Sequence, residues 1–400
     1  MRRGLLLAAL AALPAAGAAA QERVLVRSEP GTPVVAVEVL VAVGAADEPE
    51  AQAGIAYLAA RSVAAPLRPL LDSLGVRLEV VPHKDALSLT LIAAPDAWRE
   101  ASQALLVALF RDPVDSVATV RARQALVAEL EAREASPADA LARQVDAAVF
   151  GEGHPWGRPA VGTARTVGRL RVAQVDSFLR RAFTPERAVV AVVGPVEPEE
   201  AREHVGLFLL DGALGLPPVE PPQPADSVVR TDYDAITAWV SASWHFGPDA
   251  DVGALRMLAG LAIERTSFGP SRPSVYNARS EVVRHAGGGE MRLHLVVPPR
   301  EAEQWAARLR EAVAAYAGAP LPAAQFAERL RRFRGERLLE LDAPEARARA
   351  MAREALLGGR PDRLADYEGL TAERLQQAAR ALDPPVLVFL GPFPDPEESE

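Results

Sequence analysis

Apolar and polar residues along the chain change period several times, and each change marks an element. "VVAVEVLVAV", Val34 to Val43, is apolar with a strand-like alternation and predicts a β-strand. From about Gly54 the apolar spacing becomes helical in "GIAYLAARSVA". Two further alternating runs, "VRLEVVPH" and "ALSLTLIAA", are separated only by Lys84 and Asp85 and predict a hairpin. Helical periodicity then covers Trp98 to Phe110, Val114 to Arg133, Ala138 to Phe150 and Val172 to Ala182. A continuous apolar strand, Ala188 to Val193, follows. Hairpin strands with clustered helices indicate α+β architecture, a largely antiparallel sheet with helices packed on one face. A doubly wound parallel fold would need strict strand–helix alternation, which this order does not show.

The pattern occurs twice. "LRVAQVDSFLRRAFTPERAVVAVVGPVEPEEA", from Leu170, echoes "LTAERLQQAARALDPPVLVFLGPFPDPEE", from Leu370. Each is an amphipathic helix, a proline turn, a β-branched apolar strand, Gly-Pro and an acidic segment. "VVAVEVLVAVGAADE" echoes "AITAWVSASWHFGPDA" more loosely. Self-similarity over such a span predicts a duplicated domain, hence two homologous lobes. Between the halves lies "LGLPPVEPPQPADSV", Leu214 to Val228, a proline-rich stretch that predicts an extended linker. The expected organisation is a leader at 1–20, a first lobe at 21–213, the linker at 214–228 and a second lobe at 229–400.

Composition narrows the function. The chain has 400 residues, 49% hydrophobic, with a net charge of −9. Nothing resembles the basic tail or arginine block of a nucleic-acid binder, so that class is set aside. There are no cysteines, which excludes disulfides and a lipid-bearing cysteine. "MRRGLLLAALAALPAAGAAAQE" joins Arg2 and Arg3 to an apolar run and small residues before Gln21, the pattern of a secretory leader. The expected location is the bacterial periplasm or the exterior, with no membrane span after cleavage. No Gly-x-Gly-x-x-Gly, Walker loop or Gly-x-Ser-x-Gly elbow is present.

"VGAADEPEAQAGIAYLAA" resembles the strand, acidic turn and helix of the pitrilysin/insulinase (inverzincin) metallopeptidase family. That helix carries H-x-x-E-H in active members: two zinc-binding histidines on one face and a glutamate as general base. Here Tyr57 stands for the first histidine, Ala60 for the glutamate and Arg61 for the second histidine. Arginine is always cationic and alanine has no base to offer. A second segment, "ARQALVAELEAREASPADALARQVDAAVFGEGHPWGRPAVGT", resembles the family's later region. Glu129 falls on the position of its third zinc ligand, while Ala122 stands where a further acid is usual. "FTPERAVVAVVGPVEPEEA" and "FAERLRRFRGERLLELDAPEARARAMAREALLGGRP" match its domain-closing strand and second-domain helices. The resemblance implies a LuxS/insulinase-like metallopeptidase fold.

It further implies a catalytically inactive homologue with no cofactor of its own, although active relatives use zinc. Non-catalytic partners in this family pair with a zinc-bearing homologous subunit. Such partners contribute an arginine and a tyrosine that help hold peptide. In "SFGPSRPSVYNARSEVV" the tyrosine is Tyr276; Gly269 takes the arginine's place, with Arg272 and Arg265 to either side of it. The six histidines, His83, His154, His204, His245, His285 and His294, include no pair at helical i+3 or i+4 spacing. They are expected to be structural, with His154 anchoring its loop. The alternatives are a stand-alone periplasmic binding or assembly protein and, further off, an active zinc peptidase with substitute ligands.

Overall fold

The computed structural model describes residues 23–393 except 152, 211–213, 215, 218, 221, 223–226, 268–273 and 360–366. The expected leader lies outside them, as does much of the linker. The first half runs β1 (Val24–Ser28), β2 (Val35–Val41), α1 (Ile55–Ser73), β3 (Arg77–Pro82), β4 (Leu87–Ala93), α2 (Trp98–Phe110), α3 (Ser116–Glu134), α4 (Pro137–Phe150), α5 (Ala164–Gly168), α6 (Val172–Ala182), β5 (Ala188–Gly194) and α7 (Pro198–Gly206). The second runs β6 (Val228–Asp232), β7 (Ala238–Phe246), α8 (Val252–Ser267), β8 (Asn277–His285), β9 (Gly288–Val297), α9 (Ala302–Gly318), α10 (Ala323–Glu340), α11 (Pro344–Leu356), α12 (Ala372–Arg380) and β10 (Val386–Gly391).

Each half builds a five-stranded sheet, ordered β1-β5-β2-β4-β3 and β6-β10-β7-β9-β8. The two orders correspond strand for strand, as the repeat requires. In each, one edge pair is parallel and the other ladders are antiparallel. Val37 sits between Val192 and Leu91, and Val240 between Phe389 and Leu295. β1 and β6, the parallel edge strands, are additions to the elements expected from sequence. Val228, the last residue of the expected linker, already belongs to β6.

One face of the first sheet packs Val35, Val37, Val39 and Leu89 against α1, α2 and α6. The helices that each half packs on its own sheet lie on that one face, as expected, and the opposite face is closed as well. β2 and β5 are buried at every position, the mark of a strand covered on both sides. The second cover comes from the other half. Ala348, Met351, Ala352 and Ala355 of α11 lie against Ala36, Leu40 and Ala191. In return, Leu141, Val145 and Val149 of α4 cover Val386, Val388 and Leu390 of β10. Alanines on α11 let the helix approach the sheet closely. Each half therefore completes the other's core.

The hairpin turn joining β3 and β4 is part of this exchange rather than a solvated turn. Lys84 and Asp85 are buried. Lys84 pairs with Asp146 of α4 at 2.8 Å. Asp85 pairs with Arg353 of α11 at 2.6 Å and accepts the Ala286 amide at 2.7 Å. Burial pushes the Asp85 carboxyl up, but Arg353 and His285 outweigh it and hold it below the usual range. Arg292 links Asp146 to Glu290 across the same junction.

Candidate functional site

The site is built on α1, whose start is fixed by close packing. Gly54 precedes it with φ of 90°, and a Cβ there would come within 2.6 Å of the Val161 carbonyl. The first amides of the helix are met from outside. Glu48 Oε2 accepts from Gly54 N and Oε1 from Ala56 N, both at 2.9 Å. Burial pushes this carboxyl up to about 7 even against those two hydrogen bonds.

One face of α1 then presents Tyr57, Arg61, Ala64, Ala65 and Arg68 to a groove of about 610 Å³, closed by α3 and β3. Tyr57 is half-buried and Ala60 fully buried. Arg61 reaches Glu129 on α3 through both terminal nitrogens, Nη1 to Oε2 at 2.6 Å and Nη2 to Oε1 at 2.8 Å. The guanidinium also lies 5.5 Å from the centre of the Tyr57 ring. The hydrogen bond to Arg61 holds the Glu129 carboxyl below its usual range. The same bond raises the Arg61 pKa. Tyr57, Arg61 and Glu129 are therefore brought together at the groove, while Ala60 lies in the core beneath it and does not line it.

These residues do not fit zinc. A metal at this place needs two neutral nitrogen donors and a free carboxylate. The nitrogen positions hold a phenol and a permanent cation, and both Glu129 oxygens face that cation. Among the described residues no three His, Cys, Asp or Glu side chains gather as a metal site elsewhere. His154 anchors its loop: Nδ1 accepts the Trp156 amide at 3.1 Å and Nε2 contacts the Glu220 carbonyl at 2.9 Å.

The second-half candidates are more scattered. Tyr276 stands at the start of β8, 63% exposed, with its amide donating to the Val296 carbonyl. Arg265 lines a groove of about 690 Å³ with Glu264, Tyr316 and Arg329, and Tyr276 does not line it. Arg272 lies outside the described residues. Sequence reading passed over Glu48, Arg68 and Arg121. For Arg68 the signal was present: it falls on the helical face of Tyr57 and Arg61.

No family model matches the chain. One stretch of 100 residues is 42% identical to an uncharacterised zinc protease of Mycobacterium leprae. That match spans 24% of this chain and 22% of the mycobacterial protein's length. The peptidase M16 inactive domain from Pseudomonas fluorescens superposes with a TM-score of 0.79 at 16% identity, over 94% of this chain and 97% of that one. The fold is that of the M16 peptidases. The periplasmic protease PqqL of Escherichia coli shows it too, with a TM-score of 0.71 at 13% identity, over 93% of this chain and 44% of that one. The M16 fold and the zinc-protease sequence match together bear out the resemblance to the pitrilysin/insulinase family.

Proposed function

We propose that this chain is a catalytically silent M16 peptidase homologue, exported to the periplasm, that serves as the non-catalytic subunit of a zinc-bearing homologue. The observation that carries this is the Arg61–Glu129 pair, a fixed cation held at the positions that the family resemblance assigns to metal ligands. The zinc-protease name of the mycobacterial relative supports a peptidase ancestry, and the periplasmic neighbour supports the location. In this reading the linker at 214–228 marks the boundary between the two repeats, and the shell forms one wall of a peptide chamber.

Metal analysis and a peptidase assay on the purified mature chain test the first part. The expected result is no stoichiometric zinc and no cleavage. About one tightly held zinc per chain, lost on Glu129→Ala, would overturn it. Recovery of bound proteins from the native periplasm tests the second part. A zinc-bearing homologue is the expected catch, and Tyr276→Phe should then lower the turnover of the pair while leaving the complex intact. If only unrelated proteins are recovered, the chain acts as a stand-alone binding or assembly protein.

A further inference from the structure

We propose that the groove between α1, α3 and β3 selects an extended acidic peptide segment, with Arg68 and Arg121 receiving its carboxylates. This rests on the reading of the chain as a peptide-handling, non-catalytic member of its fold. Arg68 on α1 and Arg121 on α3 both line the groove and are both exposed. Neither makes an ion pair among the described residues. The other two lining arginines are engaged: Arg61 with Glu129, and Arg77 with Glu79 at 3.2 Å and Glu345 at 3.6 Å. The one lining carboxylate besides Glu129 is Asp72, a helical turn beyond Arg68. The groove thus carries a positive excess on a chain whose net charge is −9. A local reversal of sign concentrates anionic ligands at that place.

The backbone explains why the ligand is extended. β3 is the last strand of its sheet, paired only to β4. Its free edge offers main-chain donors and acceptors to an added strand. Leu78 and Val80, two apart on β3, line the groove with the apolar stem of α1, so alternate side chains of the ligand meet alternate chemistry. A nucleic acid would answer the charge but not the shape. Its binding needs aromatic platforms, and the one aromatic ring in the lining, Tyr57, already faces Arg61.

Fluorescence anisotropy on the purified full chain tests this with a short labelled peptide of alternating valine and glutamate. The control is the same peptide with glutamine in place of glutamate. At low salt the glutamate peptide should bind about ten-fold tighter, as charge-assisted contacts to guanidinium allow. The difference should shrink as added salt shortens the range of the attraction. The Arg68→Gln/Arg121→Gln double variant should abolish the difference, and Arg68→Lys/Arg121→Lys should keep part of it. Both positions are exposed, so thermal melting should match the wild type. Equal affinity for the two peptides, or a double variant that still discriminates, would overturn the proposal. Zinc content is read separately. A zinc-bearing chain that discriminates would sink the silent-subunit reading alone, and a zinc-free chain that does not discriminate would sink this proposal alone.

Discussion

The same three kinds of element frame a crevice in each half, and the halves fill it with different chemistry. In the first half α1, α3 and β3 enclose a groove crossed by the Arg61–Glu129 pair, with Glu129 about half exposed. In the second half α8, α10 and β8 enclose the counterpart, and there Phe333 lies on Gly260. A Cβ on Gly260 would come within 2.4 Å of the Phe333 ring. One crevice is bridged by a solvated ion pair; in the other a buried aromatic ring is wedged against the helix, beside an open groove of about 610 Å³. Burying a ring stabilises a fold by far more than an exposed ion pair does. The Phe333–Gly260 contact therefore belongs to the core, while the Arg61–Glu129 pair can change with little effect on folding.

The largest effect should come from opening the packed crevice. Phe333→Ala removes a ring that is 8% exposed and should destabilise the chain by about 3–5 kcal/mol. Gly260→Ala overpacks the same contact and should cost about 1–3 kcal/mol. Urea unfolding read by circular dichroism measures both. If Phe333→Ala unfolds at the wild-type midpoint, the two crevices are alike and the contrast fails. Because α4 and α11 are exchanged between the sheets, the loss should also be felt in the first half, as a single shifted transition.

Much of this architecture was legible in the chain, for reasons that are local. The α2 boundaries agree residue for residue with the apolar period from Trp98 to Phe110. The hairpin of β3 and β4, the repeat and the placing of Glu129 opposite Arg61 all follow from periodicity or from motif resemblance. What was illegible depends on distant partners. β1 and β6 are short edge strands whose pairing to β5 and β10 has no local signature. The acidic segment after β5 forms α7, started by Glu197 and Pro198, where proline is as compatible with a helix start as with a turn. Lys84 and Asp85 read as turn residues because polar pairs between strands usually are. Only α4 of the same half and α11 of the other half make them buried anchors. The cover on the outer face of β5 was not read, because α11, which supplies it, is distant in sequence.

The helix starts sharpen the comparison next. α8 begins with Asp251, which accepts the Ala254 amide at 3.1 Å and pairs with Arg374 at 2.7 Å. α1 relies instead on buried Glu48, with a carboxyl pushed up to about 7. The folded chain then keeps a proton that the unfolded chain releases near 4.5. Stability from this group is full below about pH 4.5 and is lost as pH rises through about 7, by up to about 3 kcal/mol. Glu48→Gln should remove that slope. Unfolding midpoints at pH 5 and pH 8, wild type against variant, give the test, and equal slopes would show that Glu48 titrates normally.

The smallest effect should come from the ion pair itself. Arg61 and Glu129 are held in bidentate geometry, yet the carboxylate side is open to water, which screens the attraction and hydrates either partner left alone. A double-mutant cycle with Arg61→Met and Glu129→Gln should give a coupling of about 1 kcal/mol or less, falling further with added salt. Neither single variant should gain zinc, because removing the cation supplies no nitrogen donor. Restoring the motif needs Tyr57→His, Ala60→Glu and Arg61→His together. Ala60 is fully buried, so its glutamate must enter a packed position and should destabilise the fold unless a bound metal compensates. Weak zinc affinity by calorimetry, with little peptide cleavage, is the expected result for that triple variant. No affinity at all would show that α1 and α3 have moved apart from a metal-holding geometry. A coupling of several kcal/mol in the cycle would instead make the pair a structural strut, as fixed as the Phe333–Gly260 contact of the second half.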